Sequence, residues 1–300
     1  MAQFLPDSAP RWKFQAWMHF IVLIWGFSGS LGRLISLGAA ELVWLRMSIA
    51  ALALGLFITA TKQWQRIGRR DFLRMAGLGL IIVVHWFTFF EAIKLANVSL
   101  ALACLSTGPL FGAIIEPIAF RRRIQSQEII LSIGVIAGML WILGAVEGQG
   151  LAIFYGLFSA FLASIFSVSN ARMVQRIKAS NISFWELFIG AMALAIWFTL
   201  DGEAINIIQR TTALDWFWLA QLGLICTAMA FMVSIHVMRK LSPFTLLITV
   251  ALEPVYGILI ALAIFGEGEA MSPGFYGGVL VILAMVSLNG WLKRRRTIVS

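Results

Sequence analysis

The chain has 300 residues, 60% of them apolar and only 12% charged, with a mean hydropathy of +0.90. Soluble domains carry roughly 25% charged residues, so this one is a polytopic membrane protein rather than a solvated globule. The net charge of +9 does not mark a nucleic-acid surface, because the basic residues sit between apolar runs in alternate loops. The two cysteines, Cys104 and Cys226, lie inside apolar runs and read as small core residues. The three histidines, His19, His85 and His236, share no ligand spacing, so no metal or other cofactor is expected.

About 20 apolar residues cross the roughly 30 Å hydrocarbon core of a bilayer. On that scale ten segments follow one another, near 14–32, 39–60, 72–94, 98–120, 127–146, 150–170, 181–200, 216–238, 244–265 and 273–292. The first follows Arg11 and Lys13 and has the look of a signal peptide, but nine more come after it, so it reads as the first transmembrane helix. It carries Trp25 and Ser28. The second carries Trp44 and Arg46, with Glu41 near its start as a partner for that arginine or with the arginine turned to a cavity. The third holds His85 beside Trp86, as a packing histidine or a cavity contact, and ends near Glu91. The fourth combines Ser106 and Thr107 with Glu116 and Pro117.

The sixth segment carries Ser167 and Asn170, and the eighth ends near His236. The ninth repeats the Glu-Pro pair as Glu253 and Pro254, followed by Tyr256. A carboxylate inside a membrane is expensive and marks a functional candidate. A proline within a helix frees a carbonyl that lipid cannot satisfy. Glu116 and Glu253 are therefore expected either to handle a proton or substrate or to pair helices. Trp25, Ser28, Arg46, His85 and Trp86 from the first three segments are candidate cavity residues. Ser106, Thr107, Ser167, Asn170 and Tyr256 join them from the later ones.

Loop charge gives the orientation. Nineteen of the 23 lysines and arginines fall on one side, including Arg69, Arg70, Arg121, Arg122, Arg123, Arg172, Arg176 and the Lys293–Arg296 run. The opposite loops carry Glu147, Asp201, Glu203, Asp215, Glu267 and Glu269. Both termini are expected in the cytoplasm. Ten spans divide into five and five, and an odd repeat turns the second half upside down. Phe-Ser-x-Ser-x-x-Arg occurs at Phe27–Arg33 and at Phe166–Arg172. Trp44 echoes Trp185, and the Glu-Pro pairs lie 137 positions apart (253 against 116). Gly134 with Gly138, and Gly274 with Gly278, form Gly-x-x-x-Gly motifs that let helices approach closely. The expected fold is all-α, with ten transmembrane helices as two inverted five-helix repeats at 1–147 and 148–300. In this register Arg46 faces Leu187, next to Glu186, and has no basic counterpart.

Together these features resemble the EamA-like branch of the drug/metabolite transporter superfamily. Trp25-Gly26-Phe27, Glu41 to Arg46, Phe89 to Lys94 and Ser242 to Thr245 carry the likeness, with Leu252-Glu253-Pro254 and Phe265-Gly266-Glu267. The resemblance spans essentially the whole chain. It implies a secondary transporter exporting amino acids or other small amphipathic metabolites across the bacterial inner membrane by alternating access. The implied partners are a small-molecule substrate and the lipid bilayer, without nucleic acid, with the protein as monomer or homodimer. A facilitative channel is the alternative. No phosphate loop, His-Glu-x-x-His or Gly-x-Ser-x-Gly motif is present, which argues against ATP as the direct driver and against an intramembrane enzyme.

Overall fold

The computed structural model describes residues 9–121, 123 and 126–299, with backbone only for 126–129, 132, 286 and 289–299. Arg122 thus lies outside the described residues, as do the side chains of Lys293 to Arg296. Among the described residues the chain is helical throughout and has no strand. The reason is elementary: lipid offers no partner for backbone N–H and C=O groups, so an apolar run must satisfy them within itself.

The first half contains α1 (Arg11–Leu34), α2 (Ala39–Ala60), α3 (Arg69–Leu95), α4 (Val98–Leu105), α5 (Gly108–Phe120) and α6 (Ser126–Ala145). The second contains α7 (Gly150–Met173), α8 (Ala179–Leu200), the short α9 (Ala204–Arg210) and α10 (Ala213–Ala220). A π-helical stretch, Gln221–Met229, joins α10 to α11 (Ala230–Val237). Then come α12 (Pro243–Val250), α13 (Glu253–Phe265) and α14 (Pro273–Val299). Eight helical segments are long and apolar enough to cross a membrane, counting α4 with α5, α10 with α11, and α12 with α13 as one each. The other two expected spans fall on α6 and α14, of which the residues described with side chains include the apolar stretches Ile133–Ala145 and Pro273–Met285.

The two halves repeat their helix lengths. Helices α1 and α7 both have 24 residues and start 139 positions apart (150 against 11), in the register of the Phe-Ser-x-Ser-x-x-Arg echo. Helices α2 and α8 both have 22 and start 140 apart (179 against 39). The broken pairs match too: α4 and α12 have 8 residues each, α5 and α13 have 13 each, and all are 145 apart (243 against 98).

This register corrects two expectations. The Glu-Pro pairs are not equivalent: Glu253 and Pro254 open α13, whereas Glu116 and Pro117 lie deep inside α5. The true counterpart of Pro254 is Pro109, each the second residue of its helix, where a missing N–H costs nothing. Arg46 likewise corresponds to Glu186, not Leu187 (186 against 46, in the 140 register).

Packing crosses between the halves. Helix α2 lies on α8, α3 on α7, α1 on α13, and α6 on α14, and the pattern maps onto itself when the halves are exchanged. Glycine permits a close approach between α6 and α14. A Cβ on Gly278 would sit 2.7 Å from the Gly138 carbonyl, and one on Gly138 3.0 Å from the Gly278 carbonyl. Leu56, Ile118, Leu140, Leu200 and Leu259 are exposed on the outside, a surface that suits lipid.

Two carboxylates tie the halves in matching ways. Glu269, fully buried just beyond α13, accepts from Val98 N (3.1 Å) and Ser99 N (3.0 Å) at the start of α4. Glu116, near the end of α5, accepts from Phe244 N (2.8 Å) at the start of α12. Each satisfies an orphan N–H at a helix N-terminus, where the dipole favours negative charge. Glu269 also pairs with Arg33.

Candidate functional site

A cavity of about 90 Å³ lies between the halves, walled by α1, α2, α3 and the end of α4 on one side and by α7, α11, α12 and the start of α13 on the other. Of the residues singled out from sequence, Trp25, Ser28, Arg46, His85, Trp86, Ser167 and Glu253 line it. Phe89, Phe166 and Phe231 add flat apolar walls.

Arg46 is 2% exposed. Its Nε and Nη2 both donate to Thr227 Oγ1, at 3.0 and 2.8 Å. Its Cζ lies 4.0 Å from the centre of the Trp86 ring and 5.2 Å from that of Phe90, so the cation is held by ring faces and one hydroxyl. The expected partner, Glu41, is elsewhere: it pairs with Arg210 and accepts from Gly38 N. No described carboxylate forms an ion pair with Arg46. A guanidinium has five N–H donors, so donors remain for a ligand.

Thr227 owes its position to the π-helical stretch. Its hydroxyl donates to Leu222 O (2.7 Å), five residues back rather than the usual four. The wider turn also exposes the Cys226 carbonyl, which accepts from Trp25 Nε1 at 3.0 Å. Gly223 lets α2 approach, since a Cβ there would meet Ile49 Cγ2 at 2.7 Å. Such bulges recur at functional sites, because they re-aim side chains within a regular helix.

Glu253 is the cavity's carboxylate, 3% exposed and first residue of α13, where the helix N-terminus favours its charge. It too forms no ion pair among the described residues. An arginine and a carboxyl group thus line the same small cavity without forming an ion pair with each other. His85 is 8% exposed; its Nδ1 lies 2.9 Å from Ser159 O and 2.8 Å from Ser159 Oγ, and that hydroxyl donates to His85 O at 3.0 Å. With Nδ1–H donating to Ser159 O, Nε2 is left as the ring acceptor for the cavity.

The remaining sequence candidates lie off this lining. Ser106 and Thr107 donate to Ala103 O (2.6 Å) and Cys104 O (2.7 Å) at the break between α4 and α5. Tyr256 packs on α1, where a Cβ on Gly26 would meet its own Cβ at 3.0 Å. Glu116 is occupied at the start of α12, and Asn170 Nδ2 donates to Glu186 Oε2 at 3.2 Å. Thr227 and Ser159 position the site but went unmarked in the sequence. A π-helical turn has no residue signature, and a serine in an apolar helix is common.

A model of the EamA-like transporter family matches residues 13–144 and again 150–290. The chain belongs to the EamA-like transporter family. Two curated relatives point the same way for this EamA-like protein. The uncharacterized transporter YxxF of Bacillus subtilis is 22% identical over 97% of this chain and 94% of its own. An uncharacterized transporter of Archaeoglobus fulgidus is 22% identical over 73% of this chain and 77% of its own. A solved crystal structure, 19% identical, superposes with a TM-score of 0.72 over 95% of this chain and 100% of that one, which shows the fold. The protein is a multi-pass membrane transporter.

Proposed function

We propose that this EamA-like protein is a secondary carrier for small zwitterionic molecules of the amino-acid kind, with an apolar side chain, exported by alternating access. One observation carries the reading: Arg46 and Glu253 line one cavity as complementary ionisable groups that form no ion pair. Burying either charge alone is costly, and a ligand carrying both complements repays that cost. The carboxylate of the ligand takes the free Arg46 donors, and its ammonium takes Glu253. The rings of Trp25, Trp86, Phe89, Phe166 and Phe231 suit an apolar side chain.

The size agrees. About 90 Å³ holds several waters or a small ligand, and is far below the roughly 300–1,000 Å³ of sites for drug-sized molecules. Ties across the two mouths favour a carrier over an open channel. On the acidic side Arg33 pairs with Glu269, Glu41 with Arg210, and Ser36 donates twice to Asp215 at 2.8 Å. On the basic side Arg176 pairs with Asp71, and Gln65 N donates to Asn181 Oδ1 at 3.0 Å. In this reading α6 and α14 complete ten spans, the repeats 1–147 and 148–300 are inverted, both termini are cytoplasmic, and no covalent chemistry occurs. The setting is a bacterial inner membrane.

Purified protein screened by thermal shift against amino acids, their amides and their decarboxylated amines tests the proposal. Stabilisation by the zwitterions alone is expected, with saturable flux of the same compounds in proteoliposomes. Equal response to all three classes, or none to any, overturns it.

A further inference from the structure

Glu186 on α8 is the buried carboxylate that the zwitterion site leaves unused. It is 0% exposed, as is Asn170 on α7. Glu186 Oε2 accepts from Asn170 Nδ2 at 3.2 Å, but Glu186 Oε1 and Asn170 Oδ1 both lack partners. Ser183 Oγ, one turn earlier on α8 and also fully buried, lacks one too. A carboxylate and an amide therefore meet with one hydrogen bond made and two acceptor oxygens unserved.

Among the described residues no cation forms an ion pair with Glu186. Most charged and titratable groups on the elements packed against α8 have partners of their own; Arg69 and Arg70 at the start of α3 are exposed, and Glu91 near its other end is half-buried. On α2, Arg46 is turned to Thr227 and the zwitterion cavity, and Glu41 pairs with Arg210 of α9. On α3, Arg74 pairs with Asp71 and His85 turns to Ser159. On α7, Arg172 lies over Phe120, and on α11, His236 stacks on Phe14. An ionised carboxylate in such surroundings is several kcal/mol dearer than a neutral one. A single proton resolves the pair. On Oε1 it makes Glu186 a donor, Asn170 Oδ1 is the acceptor beside it, and acid and amide then satisfy each other.

We propose that Glu186 is a proton-binding site of the transport cycle, protonated in the conformation described here and emptied when the halves rearrange. The step is simple: the Oε1–H bond breaks, its electrons stay on the carboxylate, and the proton passes to water. Two further observations place the site in the cycle. In helix register Glu186 holds in the second half the position that Arg46 holds in the first, so one half offers a substrate cation and the other a proton acceptor. A cavity of about 500 Å³ between α3 and α7 is lined by Gly77, Leu78 and Ser169 and by three arginines, Arg74, Arg172 and Arg176. Ser169 adjoins Asn170, and Leu78 adjoins Gly79, which packs so closely on α8 that a Cβ there would sit 2.6 Å from Glu186 O. In the proposal the proton leaves toward that cavity, whose arginines favour the ionised carboxylate left behind.

The coupling rests on the carrier reading, and the test separates the two. In reconstituted protein, infrared difference spectra of wild type against E186Q should show a carboxylic-acid carbonyl band in wild type that E186Q lacks and that N170A shifts. In proteoliposomes a pH gradient should drive a zwitterionic amino acid several-fold above equilibrium. E186Q, whose amide still pairs with Asn170, should exchange substrate at a similar rate yet accumulate it to a ratio of about 1. A spectrum unchanged by E186Q, or accumulation that survives it, overturns the proposal. So does accumulation that follows a sodium gradient instead of pH. Wild-type protein that moves no zwitterion overturns the carrier reading and the coupling together, whereas flux indifferent to pH overturns the coupling alone.

Discussion

Replacing Arg46 with methionine separates a binding cation from a structural one. The substitution removes a guanidinium that is 2% exposed and has no described carboxylate partner. Thr227 survives the loss, because its hydroxyl still donates to Leu222 O at 2.7 Å. The cation–π contact with Trp86 goes, at about 0.5–2 kcal/mol, but so does the desolvation of an unpaired charge. Swapping buried ionic groups for packed apolar ones is often neutral or stabilising by about 1–4 kcal/mol. Ligand-free R46M should therefore unfold at the same temperature as wild type or higher. Binding moves the other way. Two charge-assisted hydrogen bonds to a ligand carboxylate, each worth about 1.5–3 kcal/mol, disappear, so affinity for an amino acid should fall at least about 100-fold. Thermal unfolding and calorimetric titration, each with an amino acid and its amide, check both halves. A fall in ligand-free stability by the roughly 3–5 kcal/mol of a broken buried pair, with acid and amide affected alike, would refute the reasoning.

Two other substitutions probe the frame. Gly278→Leu drives a side chain into the Gly138 carbonyl, only 2.7 Å from where the Cβ would lie, and a backbone cannot give way as a side chain can. It should cost more than the usual 1–3 kcal/mol of overpacking, while Gly277→Ala, facing the Trp141 ring at 3.2 Å, costs less; thermal midpoints in detergent compare them. Glu269→Ala uncaps the start of α4 and releases Arg33, and should destabilise by about 1–2 kcal/mol, with Glu269→Gln recovering part of it in the same assay.

Eight of the ten expected spans were legible because a bilayer imposes one length and one composition, and the Phe-Ser-x-Ser-x-x-Arg echo carried the register of α1 and α7 unchanged into the fold. The Glu-Pro echo misled, since the repeated dipeptide occupies different positions in α5 and α13. What recurs structurally is a proline as second residue after a helix break, Pro109 and Pro254. Matching Trp44 to Trp185 set the register of α8 one residue off, and one residue turns a helix by about 100°. That slip hid the correspondence of Arg46 with Glu186. Arg46, His85 and Trp86 stood out as polar or aromatic groups deep in apolar runs, and the cavity gathers them. Thr227 was invisible, because its role depends on a widened helical turn that apolar sequence does not announce.

In the proposed function Arg46 and Glu253 hold a zwitterion that the protein carries from one side to the other. Counterflow in proteoliposomes loaded with an unlabelled amino acid, measured with the labelled amino acid and in parallel with its labelled amide, tests it directly. Transient, saturable accumulation of the labelled acid by wild type, with none of the amide and none of either by R46M, is the result this account predicts. Equal movement of acid and amide, or flux that rises linearly without saturating, would contradict it.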